Sequence, residues 1–247
     1  GPEVRAGRAP VDVSEPGGKS VSDVPEFLYR VIYSKLDRAR FFGQLELATA
    51  FERAIRRAAL PAAYSKGFHP HVKISFGEAL PLGMETLIAD AFITMSGNID
   101  PALVRESLNR EFAGFIRISS VGRIEKRPAA GRPVRAGYRV SGLSPFMVKN
   151  LLLRWPMCKE TTITKKTKKG EARSLLGEVL LDMRKDGDNC LEMEVFETPL
   201  LCFRPMAILQ CLAGENAESL GDCLICKVAV YPLTGREGSE DVRRAHH

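Results

Sequence analysis

One succession of secondary-structure signals runs through this chain twice, and that recurrence narrows the possible folds more than any single motif. Phe27-Leu28-Tyr29-Arg30-Val31-Ile32-Tyr33 is dense in β-branched and aromatic residues and reads as a strand. Residues 44–59 put Leu47, Phe51, Ile55 and Ala58 at helical spacing, with Arg53, Arg56 and Arg57 on other faces, and Pro61 stops the helix. Residues 72–76 and 88–95 read as strands around a Pro81/Gly83 turn region; Pro101 opens a helix to about Phe112, and 116–124 is a fourth strand. After a connection at 126–137 that mixes Gly, Pro and basic side chains, the order begins again.

In the second pass 138–143 reads as a strand, and Ser144-Pro145 caps a helix carrying Phe146, Val148, Leu151, Leu152 and Trp155. Residues 175–183 and 190–196 read as strands paired across the turn at 185–189, followed by a short helix at 205–212 and a last strand at 224–231. A doubled βαββαβ order predicts an α+β fold of two tandem ferredoxin-like units, residues 26–127 and 138–233, each an antiparallel sheet with helices on one face.

With 45% hydrophobic and 27% charged residues among 247, the chain has the material for a sizeable core. Residues 1–25, rich in Pro and Gly and almost free of large apolar side chains, read as a flexible linker, and 234–247 as a disordered tail. The opening Gly1-Pro2 and the linker predict a chain excised from something longer, with a partner domain upstream. No apolar run approaches the roughly 18 to 20 residues of a membrane span and no secretory signal is visible, so a soluble, cytoplasmic protein is expected. Six cysteines, all in the second half, read as reduced and mostly buried thiols.

Lys plus Arg number 36 against 30 Asp plus Glu, a net charge of +6 that permits a polyanionic partner without demanding one. Two segments concentrate it. Between the first helix and the second strand, Tyr64, Lys66, Gly67, Phe68, His69, His71 and Lys73 combine stacking rings, cations and a glycine backbone suited to phosphate. Further on, Lys165, Lys166, Lys168, Lys169 and Arg173 form a basic hairpin that would neutralise phosphates without reading sequence. His69 and His71 lack the further ligands that a metal requires, and the lone Cys223-Leu224-Ile225-Cys226 lacks a second pair, so no metal site is expected. No Walker loop, GxGxxG loop or GxSxG elbow marks an independent cofactor enzyme, and none is expected to be bound by this chain.

The string from Leu45 to Phe76 resembles the radical SAM-associated domain of unknown function, found beside or fused to cobalamin-binding-type radical SAM proteins. Ala79 to Glu85, Lys168-Lys169-Gly170 and Phe203-Arg204-Pro205 extend the resemblance, which spans about residues 27–233. Where that family has Ser-His and an Asp at the helix start, this chain has Gly43-Gln44 and Glu46, so no acid–base role carries over to that position. The resemblance implies an accessory module for a radical SAM partner, which would itself hold an iron–sulfur cluster and S-adenosylmethionine.

Together these readings predict a nonenzymatic RNA-binding module that presents tRNA or rRNA to such a partner. Two alternatives stand beside it: a metal-independent endoribonuclease of the CRISPR repeat-processing kind, with His69 or His71 as general acid or base, and a protein-docking domain whose basic loops contact nothing specific.

Overall fold

The computed structural model describes residues 24–112, 114–129, 132–167, 170–198 and 202–232. The expected linker up to residue 23, the expected tail at 234–247, and Lys168 and Lys169 lie outside these residues.

The first half runs β1 (Glu26–Lys35), α1 (Gln44–Arg57), β2 (Ile74–Phe76), β3 (Glu85–Ser96), α2 (Pro101–Glu111) and β4 (Ile116–Ile124). The second runs β5 (Val134–Ser141), α3 (Pro145–Arg154), β6 (Thr162–Thr167), β7 (Gly170–Leu175), α4 (Leu176–Val179), β8 (Leu180–Lys185), β9 (Cys190–Glu197), α5 (Pro205–Ala213) and β10 (Leu224–Pro232). The result is a mixed α+β fold built on one large, mostly antiparallel sheet with few helices. Its strand order is β4-β1-β3-β10-β5-β9-β8, with β2 also on β3, while β6 and β7 form a small sheet of their own.

The sheet of one half is therefore continuous with that of the other. Their seam is short: β10 runs parallel to β3 and pairs only Cys226 with Glu85 and Lys227 with Thr86. Farther along the same edge of β3, Ile74, Ser75 and Phe76 of β2 pair with Ile93, Phe92 and Ala91. One edge of β3 is thus shared by β10 and β2, which leaves a notch between them. The notch positions the buried polar groups described below.

Local chemistry explains most boundaries. Asp100 accepts the Ala102 N–H at 3.0 Å and Pro101 starts α2; Ser144 Oγ accepts the Met147 N–H at 3.2 Å and Pro145 starts α3. In α1 the apolar spacing buries Leu47, Phe51, Ala54 and Ile55. The Phe51 ring packs edge-on against Tyr33, Phe76 and Phe112, with centroids 5.1, 5.4 and 5.0 Å away, and forms the centre of the first half's core. A separate cluster around Leu143, Met147, Leu151, Phe203 and Leu209 fills the second half.

The expected strand at 175–183 is corrected. Residues 176–179 instead make the single helical turn α4, because the Leu176 and Gly177 N–H groups turn back to the carbonyls of Thr161 and Lys159, each at 2.8 Å. Gly177 permits this approach: a Cβ there would lie 3.1 Å from both Cβ and the carbonyl oxygen of Lys159.

Candidate nucleic-acid interface

The aromatic and basic stretch after α1 folds as a tight projecting hairpin. Its stem is anchored on the sheet: Ala63 N–H donates to Thr94 O at 2.8 Å, Thr94 N–H to Lys73 O at 3.0 Å and Lys73 N–H to Ala63 O at 2.8 Å. Ala62, Ala63 and Val72 are buried there. Beyond the Tyr64–Val72 bridge, Ser65 closes the tip twice, donating its N–H to His71 O at 2.8 Å and accepting the His71 N–H on Oγ at 3.0 Å. Gly67 supplies the turn at φ +137°, a backbone conformation that side chains with a Cβ rarely adopt. At the summit Phe68 is 102% exposed, so no other side chain shields its ring.

Around this tip the cations differ in what holds them. Lys66 and His69 are exposed beside Phe68. His71 Nδ1 lies 3.8 Å from Glu52 Oε2, and the same carboxylate takes Arg56 at 2.6 Å. The Arg56 guanidinium in turn stands 5.8 Å from the centre of the Tyr64 ring. Lys73 is committed elsewhere, to the Glu26 carboxylate at 2.7 and 2.8 Å.

The second basic cluster is the β6–β7 hairpin. Lys166 and Arg173 are exposed, with Arg173 paired to Glu171 at 3.2 Å. Lys165 is half-buried and donates to the Cys202 carbonyl at 2.6 Å, which makes it a tether of the hairpin. The two clusters stand on different halves of the molecule.

A third group, which the sequence did not single out, fills the notch beside β3. Lys227 Nζ donates to Glu197 Oε2 at 2.8 Å and to Glu78 Oε2 at 3.3 Å. The Tyr138 hydroxyl donates to the other Glu197 oxygen, and Cys202 Sγ to Glu78 Oε1 at 3.1 Å. Lys227, Glu197 and Tyr138 are all at least 96% buried, with exposures of 4%, 4% and 2%. Cross-strand pairing extends the row from Tyr138 through Lys227 and Thr86 to Lys35, a second buried lysine whose Nζ donates to Phe42 O at 3.3 Å. The available sequence signal was Lys227 itself, the one charged residue in the apolar run from 224 to 231.

These groups make the domain sensitive to alkali. Burial, followed by Glu78, pushes the Cys202 thiol from its ordinary 9.0 up to about 12, and burial, then Glu85, carries Cys226 to about 11. Burial and Glu197 raise Tyr138; at Lys227 burial acts downward, but Glu197 and Glu78 outweigh it and the net shift is upward. Each of the four holds its proton more tightly folded than unfolded, so its contribution is full below the unfolded pKa and is lost as pH rises through the folded one. Lys35, lowered by burial, acts in the opposite sense. The net expectation is a urea midpoint that falls between about pH 9 and about pH 12 and falls less in Tyr138→Phe. A flat profile over that range would remove this account of the notch.

Among the described residues, no group of three or more His, Cys, Asp or Glu side chains is placed to hold a metal ion. The six cysteines are free and half-buried. Cys226 lies within β10 and Cys223 just before it, with burial raising both thiols. Among the described residues, no helix is long and apolar enough to cross a membrane.

Fold and hairpin together define a mixed α+β domain with an ordered, outward-facing aromatic and basic tip. The chain belongs to the family described as an uncharacterized protein conserved in bacteria, DUF2344, which matches residues 28–205. Among solved structures, the crystal structure of an unknown protein from Galdieria sulphuraria is similar at 13% identity, over 85% of this chain and 100% of that one, with a TM-score of 0.25. A search of the curated proteins finds no match.

Proposed function

We propose that this domain is an RNA-binding accessory module that holds a single strand for a radical SAM partner, and that its two halves are ferredoxin-like units. The pairing orders β4-β1-β3-β2 and β10-β5-β9-β8 support the second statement, since both halves use the same arrangement. The resemblance of residues 45–76 supports the partner, whose iron–sulfur cluster and S-adenosylmethionine would carry the chemistry.

One observation carries the RNA reading: a fully exposed phenylalanine on a hairpin held by backbone hydrogen bonds, with Lys66 and His69 at its sides. A ring fully exposed to water gains nothing from its own fold, whereas a base stacked on it contributes about 1–3 kcal/mol. Lys66, His69 and His71 are then placed for the flanking phosphates. The cleavage alternative draws on the pair His71–Glu52, but 3.8 Å exceeds hydrogen-bonding distance, so the carboxylate does not orient the ring for proton transfer.

Binding of a fluorescent tRNA and of an unstructured single strand, at about 50 and about 200 mM salt, tests the reading. Affinity is expected to drop steeply with salt, and Phe68→Ala to weaken single-strand binding about 5- to 150-fold while Phe68→Tyr retains it. No binding at the lower salt would overturn the proposal and favour the protein-docking alternative. RNA cleavage lost in His71→Ala would favour the endoribonuclease.

A further inference from the structure

Between α2 and β4 lies a surface depression of about 910 Å³, lined by Arg105, Arg110, Arg117, Asn109 and Ser119, with Glu106 as its one acid. Among its lining residues, Asn109 donates its side-chain amide to Ile118 O at 2.9 Å and accepts the Ile118 N–H on its oxygen at 2.8 Å. This bridge fixes the helix against β4, the edge strand of the large sheet, and satisfies backbone groups that an edge otherwise exposes. The three arginines that line the depression are poorly neutralised. Among the described residues the Arg110 guanidinium reaches only the Ser107 hydroxyl, at 3.2 Å, and those of Arg105 and Arg117 have no ion-pair or hydrogen-bond partner.

Among the described residues, Arg30, Arg56, Arg57, Arg139 and Arg184 are each neutralised by a neighbouring carboxylate. By contrast, three arginines line this one depression with a single carboxylate among them, which gives it a net positive lining. Like charges held together in this way repel one another, and an anion seated among them relieves that cost. The planar donor fork of arginine matches phosphate oxygens two at a time.

Side-chain contacts tie the helix that carries the depression to α1 and, through it, to the hairpin. From His71 the contacts pass to Glu52 and Arg56 on α1; one residue on, Arg57 joins the last turn of α1 to Glu111, at 2.7 Å to its carboxylate and 2.9 Å to its carbonyl. Glu111 adjoins Arg110, which lines the depression. A ligand with one charge per repeat and a stackable base would offer a phosphate to the depression and a ring to Phe68.

We infer that the depression between α2 and β4 is a phosphate-binding site that seats the backbone of the strand whose base stacks on Phe68. This inference rests on the RNA reading above for the identity of the strand, and on the arginine cluster alone for its phosphate chemistry.

A length series of oligouridylates tests it, with strands of about 3 nucleotides to engage the tip only and about 12 to reach the depression, within the range of single-strand site sizes. In wild type the longer strand binds more tightly. Arg105→Glu with Arg117→Glu is expected to remove that gain, roughly tenfold or more, and to reduce the slope of log affinity against log salt by more than one, since each phosphate contributes about 0.7. Phe68→Ala weakens both lengths alike. The substituted arginines are exposed, so an unchanged thermal midpoint checks that the fold survives. An unaltered length gain and salt slope in the double variant would overturn the site, as would a polyglutamate peptide competing as well as RNA. If wild type binds no strand at all, the RNA reading fails separately; perturbation of the Arg105, Arg110 and Arg117 Nε resonances by inorganic pyrophosphate then upholds the phosphate site, and its absence overturns it.

Discussion

Lys227→Met is expected to lower folding stability by about 3–5 kcal/mol, the cost of leaving a buried carboxylate without its countercharge. Glu197 bears that loss: it is 4% accessible, and among the described residues only the Tyr138 hydroxyl remains to it without Lys227. Glu78 matters less, because its side chain is 52% exposed and water screens its pairing. The interaction is therefore a property of the Lys227–Glu197 couple. Replacing both, as Lys227→Met with Glu197→Gln, should recover most of the deficit, since a buried pair removed whole is far less costly than one broken. Urea denaturation of the two variants decides the matter. A single variant within about 1 kcal/mol of wild type would mean that water or rearrangement already compensates Glu197.

Phe51→Ala should cost a similar amount, about 3–5 kcal/mol, for a different reason. Phe51 is 0% exposed, and its ring meets three others from β1, β2 and the end of α2. Deleting it leaves a cavity walled by rigid aromatics attached to separate elements, which cannot collapse together to fill the space. The loss should appear first in the first half, as faster amide exchange in β1 and α1 than in β5 and β9. Equal acceleration in both halves would show that the two-pair seam at β3–β10 couples them into one cooperative unit.

Periodicity made some of this legible and was silent on the rest. The bounds of β4 at 116–124 and the start of α2 at Pro101 follow from alternation and helix-start chemistry, signals contained within a few residues. Ser144 as a cap is readable for the same reason. The turn at 176–179 is not, because it depends on Gly177 meeting Lys159 across a loop. At the candidate interface the tip residues were visible as a composition, yet Lys73 could not be separated from Lys66, since its partner Glu26 lies 47 positions away. The arginines of the depression escaped notice because they come from a helix and a strand and converge only in space. The notch network is the extreme case, with members at 78, 138, 197, 202 and 227.

The position of β10 bears on how the domain comes into being. It follows every other described strand in the chain, yet it lies mid-sheet between β3 and β5. As the polypeptide emerges from the ribosome, the first half can close around Phe51 once residue 124 is free, whereas β5, complete at residue 141, waits for a neighbour that begins only at residue 224. Until that neighbour arrives β5 has a bare edge, and so does the opening stretch of β3, each a template for pairing with the wrong chain. Translation interrupted before residue 224 is thus expected to yield a sticky product, and the nine residues of β10 are what render the nascent chain safe.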